Sequence, residues 1–315
     1  MSDIEDRVVM NEAIVHLGYH KTATTWLQKR VFPHATSHDF VCRKTVQDAI
    51  LAPPGMHFCP DRAREVLALQ GRNRPVLLSE ENLSGYLHNG GLHGFIAPEV
   101  ARRLKSVLPT AQIVIFIRNQ FDICRASYAQ YVSGGGTWGQ RRYFETGRFV
   151  RGALTRPWKA PVFEFEHFEF DRLVAHYDSL FGSDRVHVYP YEWLGDRPAL
   201  LARMERDLGL SLDELPAGDR RANGSLGSAS LSVLRAVNLF SRQSVVNKDR
   251  IVDLPGSQAL RHGVKWLMAQ TPWINRRPAP LSPRLRERIA GHFPDSNRRL
   301  MALRDLPLAD LGYPV

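Results

Sequence analysis

The sequence predicts an α/β fold built on a central parallel sheet, and three features carry that reading. Short apolar runs at 13–18, 75–79, 112–117 and 186–189 alternate with segments of helical periodicity. The run at 112–117 (QIVIFI) is continuous and rich in β-branched residues, which suits a strand covered on both faces. The first run passes through one tight turn directly into a helical pattern, the opening of a strand–turn–helix unit.

The elements follow in order. Residues 13–18 (AIVHLG) read as the first strand, and 24–32 as a helix ended by Pro33. The second strand is 75–79. Pro98 sits in the first turn of a helix running to about Leu108, just before Pro109. After the third strand, 121–132 reads as a helix with Phe121, Cys124, Tyr128 and Tyr131 towards one face, stopped by Gly134-Gly135-Gly136. Residues 134–161 mix Arg141, Arg142, Arg148, Arg151 and Arg156 with aromatic residues and read as a surface segment rather than sheet. A helix at 168–181, a strand at 186–189 and a helix at 197–208 stopped by Gly209 come next. A helix is expected at 228–242. Residues 247–283, rich in Pro, Arg and Trp, read as irregular, and helices at 283–292 and 295–304 close the chain. The alternation favours one domain over 1–315, with peripheral insertions at about 134–165 and 243–283.

Composition narrows the function classes. The chain has 315 residues, 43% hydrophobic and 23% charged, enough to bury a core without disulfides or metals. Lys and Arg total 42 against 32 Asp and Glu, a net charge of +10, so an anionic partner is expected. Only 7 of the 42 are Lys, which makes a well-placed lysine worth inspecting. Cys42, Cys59 and Cys124 are too few and too scattered for a zinc knuckle or a disulfide framework, so a reducing, cytoplasmic setting is expected. No apolar run approaches the ~18 residues of a membrane span, and residues 1–11 are acidic and polar without a secretory core.

The chemistry concentrates in Gly18-Tyr19-His20-Lys21-Thr22-Ala23-Thr24-Thr25-Trp26. A strand-to-helix turn offers unpaired backbone N–H groups to an anion. The three Thr hydroxyls add donors, Lys21 adds a mobile point charge, and Trp26 offers a flat face to a base or to the core. The segment is not a Walker A loop, G-x-x-x-x-G-K-[ST]. It has one Gly, and Lys follows that Gly by three residues. A metal-dependent nucleotide enzyme also needs a carboxylate, often at the end of a second apolar strand. Here the strand at 112–117 ends in Arg118, a cation suited to a second anionic group.

These residues resemble the sulfotransferases that use 3′-phosphoadenosine 5′-phosphosulfate (PAPS). The family's loop has the form [YHQ]-K-[ST]-G-T-T-[WFA], and this chain reads His20-Lys21-Thr22-Ala23-Thr24-Thr25-Trp26. The family's second signature, an apolar strand ending in Arg with a Ser on the next helix, is matched by IVIFIRNQFDICRASYAQYV, giving Arg118 and Ser127. LLSEENL (77–83), VHVYPYEWL (186–194), SNRRL (296–300) and DLGYP (310–314) are similar to pieces of bacterial members. Three departures stand out. Ala23 replaces Gly, Gln120 replaces a common Pro, and Ser127 follows Arg118 by nine residues where eight is commoner, placing Ala126 at the usual position.

The resemblance implies a P-loop-like three-layer α/β/α fold with peripheral helical insertions and a metal-independent transfer of a sulfuryl group. It implies that residues 20–26 hold the phosphosulfate, with Trp26 stacking on adenine, and that Arg118 and Ser127 hold the 3′-phosphate. The product would be adenosine 3′,5′-bisphosphate. Lys21 would be catalytic, with Glu81 as the base and His20 its competitor. A hydroxyl or amine of a small-molecule or glycan acceptor, a carbohydrate or glycolipid above all, would receive the group in a bacterial cytoplasm, with no nucleic-acid partner. The rival readings are a nucleotide kinase-like P-loop enzyme and a non-catalytic binder of polyanions or nucleic acid drawn by the +10 charge.

Overall fold

A computed structural model describes residues 13–152, 156, 158–160, 162–215, 226–241, 249, 251, 252, 254–271, 275 and 277–315. The polar N-terminus and parts of both expected insertions therefore lie outside the described residues.

Five parallel strands form one sheet in the order β2-β3-β1-β4-β5. They are β1 (Ile14–His16), β2 (Asp39–Val41), β3 (Val76–Ser79), β4 (Gln112–Ile117) and β5 (Val186–Pro190). Val15 lies opposite Leu78 on one side and Ile113 on the other. Parallel strands need crossovers, and here helices cover both faces. Side-chain alternation along the strands divides the core accordingly. Val15, Leu78, Ile113 and Ile115 belong to a large cluster shared with α4 (Ile96–Val107), α5 (Gln120–Ser133), α7 (Phe170–Phe181), α11 (Pro283–His292) and α12 (Pro294–Leu303). Ile14, Leu77, Val114 and Phe116 join a second cluster with Leu27, Val31 and Phe32 and with Leu200, Met204 and Leu208 of α8 (Arg197–Leu208). The layers are α/β/α, as the sequence predicts.

Several elements differ from the sequence reading. The expected helix at 24–32 is three short pieces: α1 (Thr24–Trp26), a π turn (Leu27–Val31) and a 3-10 turn (Phe32–His34). Pro33 is the second residue of that last turn, where its missing N–H costs nothing, and Leu27, Val31 and Phe32 all reach the second core. β2 is an edge strand of three residues, too short to show an alternation. Two helices beside it, α2 (Arg43–Val46) and α3 (Pro60–Val66), had no clear sequence signal.

The segment 134–165 is not merely surface. It contains α6 (Gln140–Phe144), and Trp138, Tyr143, Phe144, Phe163 and Phe165 are buried in the main core. Its aromatic rings turn inward, Tyr143 lying 4.7 Å from Tyr131 and Phe144 4.6 Å from Phe163, while Arg141, Arg148, Arg151 and Arg156 stay outside. Mixed composition hid that division.

The irregular reading of 247–283 is also corrected. After α9 (Ser228–Asn238), which ends four residues before the expected 242, comes α10 (Ser257–Gln270), a helix of 14 residues. Met268 reaches the main core and Val264 packs against it, but the other large apolar residues do not follow them. Leu260, Trp266 and Leu267 are 58%, 65% and 58% exposed, while Arg261 is buried and its guanidinium donates to the Gly134 carbonyl at 3.3 Å. Apolar spacing therefore does not mark its inner face. Among the described residues no helix is long and apolar enough to cross a membrane.

Candidate active site

The strand order builds the site. β1 lies between β3 and β4, so the carboxyl ends of all three meet. The chain leaves β1 towards one edge of the sheet and leaves β4 towards the other, which opens a crevice where ligands bind in such folds. Residues 18–26, the turn after β3 and Arg118 border it.

The turn after β1 is tight. A Cβ on Gly18 would lie 2.7 Å from His16 Nε2 and 3.1 Å from the Phe116 Cβ, so only glycine fits. Thr22 is buried and its hydroxyl donates to the Tyr19 carbonyl at 2.5 Å. Lys21 and Ala23 adopt left-handed conformations with φ of 69° and 65°. The Ala23 carbonyl then accepts from the N–H groups of Trp26 (2.9 Å) and Leu27 (3.1 Å). Ala23 thus occupies the conformation that glycine takes at lower cost. Ala23→Gly is expected to raise unfolding stability by about 0.5–1 kcal/mol, the relief of αL strain less the added chain entropy. Urea titration checks this, and a lower midpoint would contradict it.

Two cations converge on the turn. Lys21 Nζ donates to Gln130 Oε1 of α5 at 2.6 Å. Burial lowers the Lys21 pKa. Glu81 opposes that effect, while Arg118 and Lys265 add to it. Arg118 is 17% exposed and its Nη1 donates to the Lys21 carbonyl at 2.9 Å. Its guanidinium lies 4.2 Å over the Tyr191 ring and 3.7 Å from Asp122. Its Nε is buried with no hydrogen-bond partner, an uncommitted donor beside the loop.

The two glutamates after β3 have different surroundings. Glu80 is fully buried. Its carboxylate accepts from Arg43 Nε (2.5 Å), Gln47 Nε2 (2.6 Å) and the Asn82 backbone N–H (2.9 Å). Glu81 is 15% exposed, lies 3.1 Å from Arg43 Nη2 and accepts from Gln28 Nε2 at 3.4 Å. Because it also acts on Lys21, it shares the crevice with that lysine.

His20 Nε2 is 3.0 Å from Asn82 Oδ1, and its Nδ1 is buried without a partner. Burial lowers its pKa to about 4; the Asn82 contact opposes this, and His88, Lys21 and Arg43 reinforce it. The ring is therefore neutral at physiological pH. A neutral ring bonded to an amide oxygen through Nε2–H leaves Nδ1 as an acceptor.

The remaining predicted residues are placed as follows. Thr24 is buried, and Thr25 and Trp26 are partly exposed. The Arg197 guanidinium lies 5.1 Å from the centre of the Trp26 ring, whose edge packs on the second core. Ser127 is fully buried and its hydroxyl donates to the Ile123 carbonyl at 2.8 Å, so it serves its own helix backbone. Ala126, one position earlier and about 100° around the helix, is partly exposed.

Sequence reasoning missed Gln28, Asn82 and Gln130, each holding a predicted residue in place, and Lys265, which acts on Lys21 from α10. The scarcity of lysine was the one available signal for Lys265. Gln120 has its own logic: it exchanges amide hydrogen bonds of 2.8 and 3.1 Å with Asn297, tying SNRRL to the start of α5. Asn297 also reaches the Pro314 carbonyl, and Asn119 donates to the Leu311 and Gly312 carbonyls, so DLGYP braces the end of β4. Among the described residues no group of three or more His, Cys, Asp or Glu is placed to hold a metal ion.

Sheet order, layers and turn together define a P-loop-like α/β fold. No family model and no curated protein sequence matches the chain. Among solved structures it is similar to a sulfotransferase from Alicyclobacillus acidocaldarius, with a TM-score of 0.55 and 17% identity over 95% of this chain and 98% of that one. The chain thus has the sulfotransferase fold. Weaker matches are the sulfotransferase domain from the curacin biosynthetic pathway (TM-score 0.38, 11% identity, 92% and 96% covered) and mouse sulfotransferase SULT7A1 complexed with PAP (0.32, 14%, 96% and 88%).

Proposed function

We propose that this protein is a PAPS-dependent sulfotransferase. The observation that carries the reading is the joining of Arg118 to the Lys21 carbonyl, which sets two cations on one turn at the carboxyl end of β1 and β4. Two cations there suit a ligand with more than one anionic group, such as a 3′-phosphate and a 5′-phosphosulfate. The buried, uncommitted Nε of Arg118 supports the assignment, because a desolvated donor gains most from an anionic acceptor. A kinase-like reading needs a carboxylate where Arg118 stands. A non-catalytic polyanion binder gives no reason for a buried arginine donor at a strand end.

The roles follow. The loop 20–26 holds the phosphosulfate, Trp26 borders the adenine, and Arg118 holds the 3′-phosphate. Ser127 can join it only if α5 turns its hydroxyl away from Ile123. The acceptor oxygen bonds to sulfur as the sulfur bond to the 5′-phosphate oxygen breaks, and Lys21 neutralises the charge that develops on that leaving oxygen. Glu81 takes the acceptor proton, with neutral His20 as the alternative base. Positioning and charge stabilisation supply the rate enhancement, and no metal is assigned. The acceptor is proposed to be a carbohydrate or glycolipid hydroxyl, and the setting cytoplasmic.

Calorimetry with adenosine 3′,5′-bisphosphate tests the reading. The intact protein is expected to bind it, and Arg118→Ala to weaken it by about 2–4 kcal/mol. A nucleotide lacking the 3′-phosphate is expected to lose almost nothing. Equal losses for both ligands would place Arg118 elsewhere, and no binding to the wild-type protein would remove the reading.

A further inference from the structure

We propose that the arginines gathered around Glu145 form a second oxyanion site, one that takes a carboxylate, sulfate or phosphate group carried by the acceptor. The assignment to an acceptor rests on the sulfotransferase reading; the anion site itself does not.

Glu145 is the C-terminal cap of α6, and its side chain is only 6% exposed. Four guanidinium groups surround it. Arg284 lies 3.2 Å and Arg288 3.5 Å from Oε1, while Arg148 lies 3.5 Å and Arg141 3.7 Å from Oε2. One carboxylate balances one cation, so Glu145 and its four arginines keep a formal charge of about +3, which Glu164 on the wall of the larger cavity lowers to about +2. Contacts of this length are mostly ion pairs without hydrogen bonds, since a good N–H···O bond needs about 2.7–3.2 Å. Oε2 is buried with no hydrogen-bond partner at all. An arginine that closes on a carboxylate prefers two parallel hydrogen bonds. Four that share one carboxylate cannot do so; Arg288 Nη1 also donates to the Phe144 carbonyl at 3.4 Å, and the remaining donors of the cluster are available to a further oxyanion.

Space is present where those donors lie. Two cavities, of about 370 and 280 Å³, meet at Phe144 and Glu145. Arg148 and Arg288 line the larger, and Arg141 and Arg284 the smaller. Arg284 and Arg288 are one turn apart on α11, so a single helix face presents one arginine to each cavity. Glu164 also lines the larger cavity, but its carboxylate is held by His93 Nδ1 at 2.8 Å. The side chains of Arg141, Arg148, Arg284 and Arg288 are 42–65% exposed, so a ligand can reach them.

The site connects to the crevice through packed groups. Tyr143, beside Phe144, has its hydroxyl 2.6 Å from His88 Nδ1, and the Glu164 N–H donates to the His88 carbonyl at 2.9 Å. His88 in turn acts on His20. The loop that carries His88 follows directly on the turn of Glu81. On the proposal, an acceptor presents one end to the sulfuryl position and a charged group further along to the arginines, with the buried Tyr143 and His88 packed between the two regions.

Calorimetry at low salt, with adenosine 3′,5′-bisphosphate present to fill the donor turn, tests the proposal. The probes are sodium sulfate, a sulfated disaccharide and its uncharged parent. Sulfate and the sulfated sugar are expected to bind, and the uncharged sugar to bind at least tenfold more weakly. Arg284→Gln is expected to weaken both anions about tenfold, the effect of one lost charge-assisted contact. Glu145→Gln is expected to do the opposite and tighten them several-fold, because it removes the resident negative charge without emptying the cavity. A structural ion-pair cluster would give no such opposite pair, and unchanged affinities in both variants overturn the site. Binding of sulfate but not of the sulfated sugar, an isolated inorganic-anion site, overturns the acceptor assignment. Failure of the bisphosphate to bind sinks the sulfotransferase reading alone, since the variant-dependent part of sulfate binding is still measurable.

Discussion

Lys21→Ala is expected to lower sulfuryl transfer by a factor on the order of 10²–10³, the scale of removing one group that stabilises transition-state charge. Stability is expected to change little. The substitution keeps a non-glycine residue at φ 69°, so backbone strain is unaltered, and among the described residues the side-chain hydrogen bond lost is the exposed one to Gln130. The effect should fall on kcat rather than on bisphosphate affinity, because charge grows on the leaving oxygen only as the bond to sulfur breaks. Steady-state kinetics beside a melting curve separate the two. Near-wild-type turnover would remove Lys21 from the chemistry, and a matching fall in bisphosphate affinity would make it a binding residue only. Lys21→Arg is expected to rescue poorly, since a planar fork replaces a compact point charge beside Arg118.

How far these residues could be seen in advance depended on whether local pattern and burial agreed. β4 was legible because QIVIFI is buried almost throughout and nothing polar interrupts it. Residues 18–26 were legible because a turn that binds an anion must gather N–H groups, hydroxyls and a cation within a few residues. The positive φ at Ala23 was legible as a question, posed by alanine where glycine is usual, and the structure answers it. α10 was hard to read for a physical reason: Met268 and Val264 turn inward beside Arg261 while Leu260, Trp266 and Leu267 face outward, so no clean apolar stripe marks its inner face. The aromatic core of 134–165 was hidden by the arginines between its rings. Partners such as Gln28, Asn82 and Gln130 come from three separate elements, and only the strand order brings them to His20, Lys21 and Glu81.

The pair Glu80 and Glu81 shows how structure sharpens a sequence-level choice. An extended reading sends adjacent side chains to opposite sides, but Glu81 opens a 3-10 turn (Glu81–Ser84) and both carboxylates reach Arg43, so burial rather than alternation separates them. Glu80 points into the protein and is held by Arg43, Gln47 and Asn82, leaving its oxygens no room for an acceptor proton. Glu81 keeps partial exposure and acts on Lys21. A positioned carboxylate that removes the acceptor proton contributes about 10²–10⁴-fold. Glu81→Gln is therefore expected to lose turnover on that scale while it keeps bisphosphate affinity and a melting temperature within a few degrees of wild type. Glu80→Gln is expected to behave in the opposite way. It replaces a buried carboxylate that holds several donors, costs about 1–3 kcal/mol of stability, and leaves the folded enzyme active. Paired measurements of kcat and urea midpoint on the two variants decide the matter. An inactive but stable Glu80→Gln enzyme beside an active Glu81→Gln enzyme would reverse the assignment. Full activity in both would pass the role of base to His20, whose neutral ring already offers a buried, unpartnered Nδ1.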